Sequence, residues 1–359
     1  MRIVRYYPRA LTGDGGMTRA VRRSSESLAA CGVRSVIAYH GPAEQPTEPR
    51  GVQWVQVPHY HRFGLELPAG LADVLHGADL LVLHSAWTGY NIAAGRVAHR
   101  LGVPYVLEPR GAYDPHILRR RAAAKRVWWW AGERQLVQQA RAVHVFFDAE
   151  RPHLAALGHR GSVIVSANGV DAPDLPLWDG GRGDPVMWLG RFDPQHKGLD
   201  LLLQALAMLP SRSRPRVRLH GPDFHGGKQR VRSMVHDLRL GDHVEIGAPV
   251  HGAAKWQALR GASGFVYPSR WEAFGNSAAE AAVLGVPMAL TPYPLARHLA
   301  DRGGAVLGGW QPHSLAAALE QVSDEGSAGL GRRAAAVARQ DFSWDAAAGS
   351  WLRQVEAVL

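Results

Sequence analysis

Short apolar runs alternate along this chain with longer stretches whose apolar residues recur every three or four positions. That is the pattern of parallel α/β units. The first run covers residues 3–7, and 17–30 follows with helical spacing of Ala20, Leu28 and Ala29. Further strands are predicted at 33–39, 80–84, 104–107, 143–147 and 162–166, with helices at 88–101 and 116–140. Asn168-Gly169-Val170-Asp171 and a Pro-, Gly- and Asp-rich stretch, 173–185, then read as linker or surface loop. The alternation restarts with strands at 186–189, 217–219, 244–246, 264–267 and 287–290. A closing helix, 344–358, is apolar on one face through Trp344, Ala347, Trp351, Leu352 and Val355.

A chain of 359 residues exceeds what one core accommodates. Two α/β halves, 1–170 and 171–343, are therefore expected, with a cleft between them as the natural ligand site. One cysteine, Cys31, excludes an internal disulfide framework and a cysteine-rich metal or iron–sulfur site. No apolar run is long enough to span a membrane. The N-terminus is too short and polar for a signal peptide, so a cytoplasmic protein is expected.

The formal charge of +10 is unevenly divided. Residues 1–170 carry 21 Lys+Arg and 12 Asp+Glu, whereas 171–359 carry 20 and 19. Nearly all the excess belongs to the first half, which favours an anionic partner there. Arg119–Arg126 followed by Trp128, Trp129 and Trp130 fits an anionic membrane surface or a solvated amphipathic helix. Three consecutive tryptophans cannot share one helix side, so at least one belongs to the core. No base-reading motif accompanies the charge, and nucleic acid is not an expected partner.

Four segments carry candidate chemistry. Glu272-Ala273-Phe274-Gly275-Asn276-Ser277-Ala278-Ala279-Glu280 runs from a loop after a strand into a helix. A helix N-terminus presents free N–H groups and a positive dipole end to an anion. Gly275 permits close backbone approach, and Glu280 lies about one turn in, where it reaches sugar hydroxyls. Arg191 and Lys197, in Gly190-Arg191-Phe192-Asp193-Pro194-Gln195-His196-Lys197-Gly198, leave a strand end together and suit a diphosphate. Gly13-Asp14-Gly15-Gly16-Met17 is a tight turn before a helix, without the third glycine of a dinucleotide fingerprint. His84, ending its strand, suits a sugar hydroxyl, proton transfer or a loop carbonyl. Nearby Arg110 and Asp114 follow another strand, placed to meet an acceptor or to pair with each other.

In this order the segments resemble the retaining GT-B glycosyltransferases of family four, over nearly the whole chain. The matching patterns are the Gly-Gly loop, Gly-Arg-x-x-x-x-x-Lys-Gly, Val-x-x-x-Gly, Tyr-Pro-Ser-Arg-x-Glu-x-Phe-Gly and Glu-Ala-x-x-x-Gly-x-Pro. Pro109-Arg110-Gly111 and the Trp-rich helix are most similar to members that build surface polysaccharides and lipid-linked precursors. The resemblance implies two Rossmann-like domains facing a central cleft, the closing helix 344–359 crossing back to the first. The first domain would bind the acceptor and the second the nucleotide sugar.

It also implies roles. Arg191 and Lys197 would hold the donor diphosphate, Glu272 the transferred sugar and Glu280 the ribose. Asn276 and Ser277 would offer N–H groups to phosphate, His84 would contact the sugar, and Gly16 would let the first loop approach. Gly247 and Val250 would flank the nucleobase, with Arg110 and Asp114 at the acceptor. The family usually has Gly where Ala273 stands, which makes this loop less permissive. No Asp-x-Asp occurs, and two placed cations can supply the charge neutralisation of a metal. Metal independence, no cofactor beyond the nucleotide sugar, and no metal site at His59, His61 or the other histidines are expected. The acceptor is expected to be a saccharide, free or lipid-linked, with peripheral attachment at the inner membrane face. Alternatives are a natural-product acceptor, a GT-B epimerase or phosphorylase, and a silent binding scaffold. Intact Arg191, Lys197, Glu272 and Glu280 argue against the last two.

Overall fold

The structure, a computed structural model, describes residues 1–12, 15–42, 51–62, 65–178, 180–181, 184–323 and 327–359. Gly13 and Asp14 of the first glycine turn, and positions 179, 182 and 183 of the expected linker, lie outside them. The chain divides into two units, Met1–Gly169 with Trp344–Leu359, and Val170–Ser343. Val170 belongs to the second unit because its N–H donates to the Phe342 carbonyl at 2.7 Å.

Unit 1 runs β1 (Arg2–Tyr7), α1 (Gly16–Ala30), β2 (Arg34–Tyr39), β3 (Val52–Gln56), β4 (His59–Arg62), β5 (Leu65–Pro68), α2 (Leu71–Leu75), β6 (Leu80–His84), α3 (Gly89–Arg100) and β7 (Tyr105–Glu108). It continues with α4 (Pro115–Arg119), α5 (Ala122–Trp128), α6 (Arg134–Gln139), β8 (Ala142–Val145), α7 (Arg151–Ala156) and β9 (Ser162–Val165). Unit 2 holds β10 (Val186–Leu189), α8 (Leu199–Met208), β11 (Val217–His220), α9 (Gly227–Asp237), β12 (Val244–Ile246), α10 (Gly252–Gly261) and β13 (Phe265–Tyr267). After these come α11 (Asn276–Leu284), β14 (Met288–Leu290), α12 (Pro294–Ala300), β15 (Val306–Leu307), α13 (Pro312–Ser323) and α14 (Ala328–Asp341). The last helix, α15 (Trp344–Glu356), returns to unit 1, where Ala348, Trp351 and Val355 join the core beneath β1, β6 and β7.

The main sheets are parallel, ordered β3-β2-β1-β6-β7-β8-β9 and β12-β11-β10-β13-β14-β15. In each, the chain steps outward on one side of the first strand and then crosses to its other side. The crossing leaves a switch point between β1 and β6, and another between β10 and β13, where α/β sheets bind ligands. Central strands such as Leu80–His84 and Val186–Leu189 are buried throughout, so they read as continuous apolar runs.

The expected single helix over 116–140 is not continuous. Arg121 takes a left-handed φ of 51° between α4 and α5, and a wide π turn, Trp129–Glu133, separates α5 from α6. At Gly132 a Cβ would fall 2.9 Å from Ile92 Cδ1, so a larger residue there would need Ile92 to shift. Trp129 packs on the core, whereas Trp130 is 68% exposed. The sequence pattern also missed β3, the β4–β5 hairpin and β15. β3 and the hairpin are short edge or ribbon strands whose polar residues hide the alternation, and β15 is only two residues long.

Candidate functional site

In unit 2 the loops after β10 and β13 meet at the switch point. α8, which follows Lys197-Gly198, buries Leu199, Leu202, Leu203 and Leu206 completely, each contributing roughly 1.5–3 kcal/mol. Gly198 holds φ 65°, and a Cβ there would fall 1.8 Å from the Pro268 carbonyl oxygen. That close backbone approach brings Lys197 against the second loop. Its Nζ donates to Glu272 Oε1 at 2.5 Å and to the Tyr267 hydroxyl at 2.9 Å. Burial alone would raise the Glu272 pKa, but Lys197 and then His196 hold it below its usual value, so the carboxylate is ionised.

Arg191 is more open, its side chain 42% exposed. Its guanidinium lies 4.4 Å over the Phe224 ring and donates from Nη2 to His196 Nδ1 at 3.0 Å. His196 Nε2 donates to the Trp271 carbonyl at 3.0 Å, and the two rings stack at 4.0 Å. With Nε2 as donor and Nδ1 as acceptor, the imidazole is neutral. Burial, reinforced by Lys197, lowers its pKa to about 4. His196 therefore aims Arg191, a task its place in the sequence did not reveal. The second loop is fixed by Arg270, bidentate to Asp200 of α8 at 2.7 and 2.8 Å.

Gly275 opens α11 with φ 98°, packed so tightly that a Cβ would lie 2.9 Å from the Tyr293 ring. Asn276 and Ser277 stand in the first turn of α11, the end of a helix that carries partial positive charge. Glu280 is 4% exposed and takes Lys255 Nζ at 2.8 Å. Lys255, on α10, is a cation that sequence spacing did not connect to Glu280. Gly247 follows β12 beside His220, a Cβ there falling 2.5 Å from the ring. Val250, half-buried, follows three residues on.

Unit 1 gathers a different group. Gly16 begins α1 after the N-cap Gly15. Pairing of β6 with β7 sets His84 opposite Glu108, and pairing of β7 with β8 brings His144 alongside. Glu108 Oε1 faces Arg5 Nη1 at 3.4 Å and His144 Nδ1 at 3.1 Å. Its Oε2 faces His84 Nδ1 and Arg110 Nη2, both at 3.0 Å. Burial raises the Glu108 pKa and the surrounding histidines and arginines lower it further, leaving it well below the usual range. Burial lowers His84 to about 4, so its ring is neutral; it is 1% exposed, and neither nitrogen has hydrogen-bond geometry to Glu108. Arg110 and Asp114 do not pair with each other. Arg110 binds Glu108, while Asp114 caps α4 by accepting from the His116 N–H at 2.7 Å.

Two family descriptions match the chain in the same division: "Glycosyl transferase 4-like domain" over residues 15–169 and "Glycosyl transferases group 1" over 184–340. A D-inositol 3-phosphate glycosyltransferase of Frankia alni is 30% identical, with 97% of this chain and 96% of that protein aligned. The chain belongs to the family-four-like glycosyltransferases. This glycosyltransferase has the GT-B fold. It superposes on sucrose-phosphate synthase from Thermosynechococcus elongatus with a TM-score of 0.78, at 19% identity and full coverage of both chains. Against Anabaena Alr3699/HepE, solved in complex with UDP and glucose, the TM-score is 0.77 at 17% identity over 99% of each chain.

Proposed function

We propose that this glycosyltransferase moves a hexose, with retention, from a UDP- or GDP-linked donor to a saccharide or lipid-linked saccharide acceptor, in polysaccharide or glycoconjugate synthesis. The reading rests on the buried Lys197–Glu272 pair beside Arg191 and the start of α11. Arg191 and Lys197 bind the diphosphate, and the first N–H groups of α11 add partial positive charge. Glu272, ionised, accepts from the transferred sugar's hydroxyls, and Glu280 from the ribose. The bond from the anomeric carbon to phosphate oxygen breaks through an oxocarbenium-like state. The acceptor oxygen bonds to the same face, and its proton passes to the departing phosphate. Two cations suffice for the leaving group, so no metal takes part. His84, a neutral ring, is the residue of unit 1 assigned to the sugar.

UDP is the first donor to try, because Alr3699/HepE was solved with UDP and with UDP-glucose. The relative named for D-inositol 3-phosphate makes a phosphorylated acceptor worth testing, in keeping with the basic unit 1. Release of UDP or GDP is measured with UDP-glucose, UDP-galactose, UDP-N-acetylglucosamine and GDP-mannose against a panel of saccharides and phosphorylated polyols. Acceptor-dependent release is expected, and its absence from every combination sinks the transferase chemistry. The anomeric coupling in the product's proton NMR spectrum decides retention.

Among the described residues no helix is long and apolar enough to cross a membrane. Exposed Val127 and Trp130, 71% and 68%, stand beside exposed Arg119, Arg120, Arg121 and Arg126. A neighbouring open cavity of about 250 Å³ is lined by Trp87, Leu118, Lys125, Arg126 and Trp129. Cations with adjoining apolar side chains fit an anionic headgroup layer. Sedimentation with anionic liposomes should carry the protein down and weaken with salt; salt-insensitive or absent binding rejects this surface.

A further inference from the structure

The β4–β5 hairpin carries donors to which the proposed transfer assigns no role. Its antiparallel register sets His61 opposite Glu66 and His59 opposite Pro68, so His59, His61 and Glu66 share one face. His40, immediately after β2, meets that face. Its Nδ1 is 2.8 Å from Glu66 Oε1, and His59 Nε2 is 3.9 Å from the same oxygen. The three ligand atoms all lie within 4.8 Å of one another. The chain pattern gave His59 no ligand partner; tertiary structure supplies two. His40 is 3% exposed, and the hydroxyl of fully buried Tyr6 holds its other nitrogen at 2.9 Å.

We propose that His40, His59 and Glu66 form a binding site for a divalent transition-metal ion of the zinc class, which fastens the hairpin to the carboxyl ends of β1 and β2. Two imidazoles and a carboxylate are the donors such borderline cations take, and three protein ligands leave the fourth tetrahedral position to water. Tyr6 acts as a positioning residue, because a ligating histidine characteristically hydrogen-bonds through its second nitrogen. The His40 and His59 rings now stack at 4.8 Å and 8°. Coordination requires the His59 ring to turn about χ2, a broad torsion, and its side chain is 37% exposed.

The test uses the untagged full-length protein, stripped with a chelator and titrated calorimetrically with zinc chloride, the bound metal being counted by mass spectrometry. One zinc per chain is expected. His59→Ala should abolish stoichiometric uptake, and Glu66→Gln should weaken it severely. Tyr6→Phe, which keeps the packing, should weaken affinity roughly 10–100-fold. His236→Ala, at a 91% exposed side chain, should change nothing. Circular dichroism checks that each variant is folded. No stoichiometric zinc in the wild type, or uptake unaffected by His59→Ala and Glu66→Gln, overturns the site, whatever the glycosyltransferase assay shows.

Discussion

Lys197 Nζ stands 2.5 Å from Glu272 Oε1, with the two side chains only 10% and 12% exposed. Each charge is solvated mainly by the other, so neither can be removed alone without cost. Lys197→Ala leaves Glu272 buried and unpaired, at about 3–5 kcal/mol. It also strips a leaving-group cation, for which a loss of roughly 10²–10³ in turnover is expected. Lys197→Met combined with Glu272→Gln should recover much of the stability and none of the turnover. Denaturant titration beside nucleotide-release kinetics checks both; unchanged turnover in Lys197→Ala would remove the pair from the chemistry.

His196 links Arg191 to the Trp271 carbonyl, and the stacking can be separated from the hydrogen bond. His196→Phe keeps a flat ring on Trp271 but offers Arg191 no acceptor. Hydrogen bonds to charged groups are worth about 1.5–3 kcal/mol, so donor kcat/KM should fall by at least about tenfold. Tm should stay close to wild type. A fall in Tm with unaltered donor kinetics would make His196 purely structural.

Two glycines should respond very differently to the same substitution. Gly198 and Gly252 both have positive φ, 65° and 52°. A Cβ at Gly198 overlaps the Pro268 carbonyl, whereas nothing lies within 4 Å of one at Gly252. Gly252→Ala should cost about 1–2 kcal/mol, the left-handed penalty alone. Gly198→Ala adds backbone displacement and should cost several kcal/mol and most activity. Equal unfolding midpoints would contradict the close approach that seats Lys197.

The pH dependence of stability has opposing parts. His84 and His196, both lowered to about 4 by burial, refuse protons that the unfolded chain accepts below pH 6.5. Their contribution is lost as pH falls from 6.5 toward 4. Glu150, raised to about 7 by burial, keeps its proton in the native state, which favours folding as pH falls from 7 toward 4.5. Glu133, raised by burial, and His40, lowered by it, add to the two sides. Glu150→Gln removes one opposing part, so urea titrations at about pH 7.5 and 5 should show the variant losing more stability, or gaining less, than wild type as pH falls. An unchanged difference between the two pH values in Glu150→Gln would refute the assignment.

Much of this was legible in the chain. Apolar runs gave the central strands because strands buried on both faces read as continuous hydrophobic segments. Gly190-Arg191, Lys197, Glu272 and Gly275 could be singled out because strand ends and helix starts need particular residue types locally. The broken 116–140 helix was not legible, because its interruptions lie at Gly132, where the backbone passes close to Ile92 of α3, and at the left-handed Arg121.

What sequence alone determined is therefore which residues stand at the strand ends and what chemistry each can offer. Only tertiary structure decided who meets whom. Parallel pairing sets β13 beside β10, so Lys197 finds Glu272 75 residues away. Sheet register delivers Glu108 to His84 and His144, taking Arg110 away from Asp114. The packing of α10 gives Glu280 its Lys255, and the hairpin carries His59 to His40. These are non-local pairings, fixed by crossover connections and hydrogen-bond register rather than by the spacing of residues along the chain.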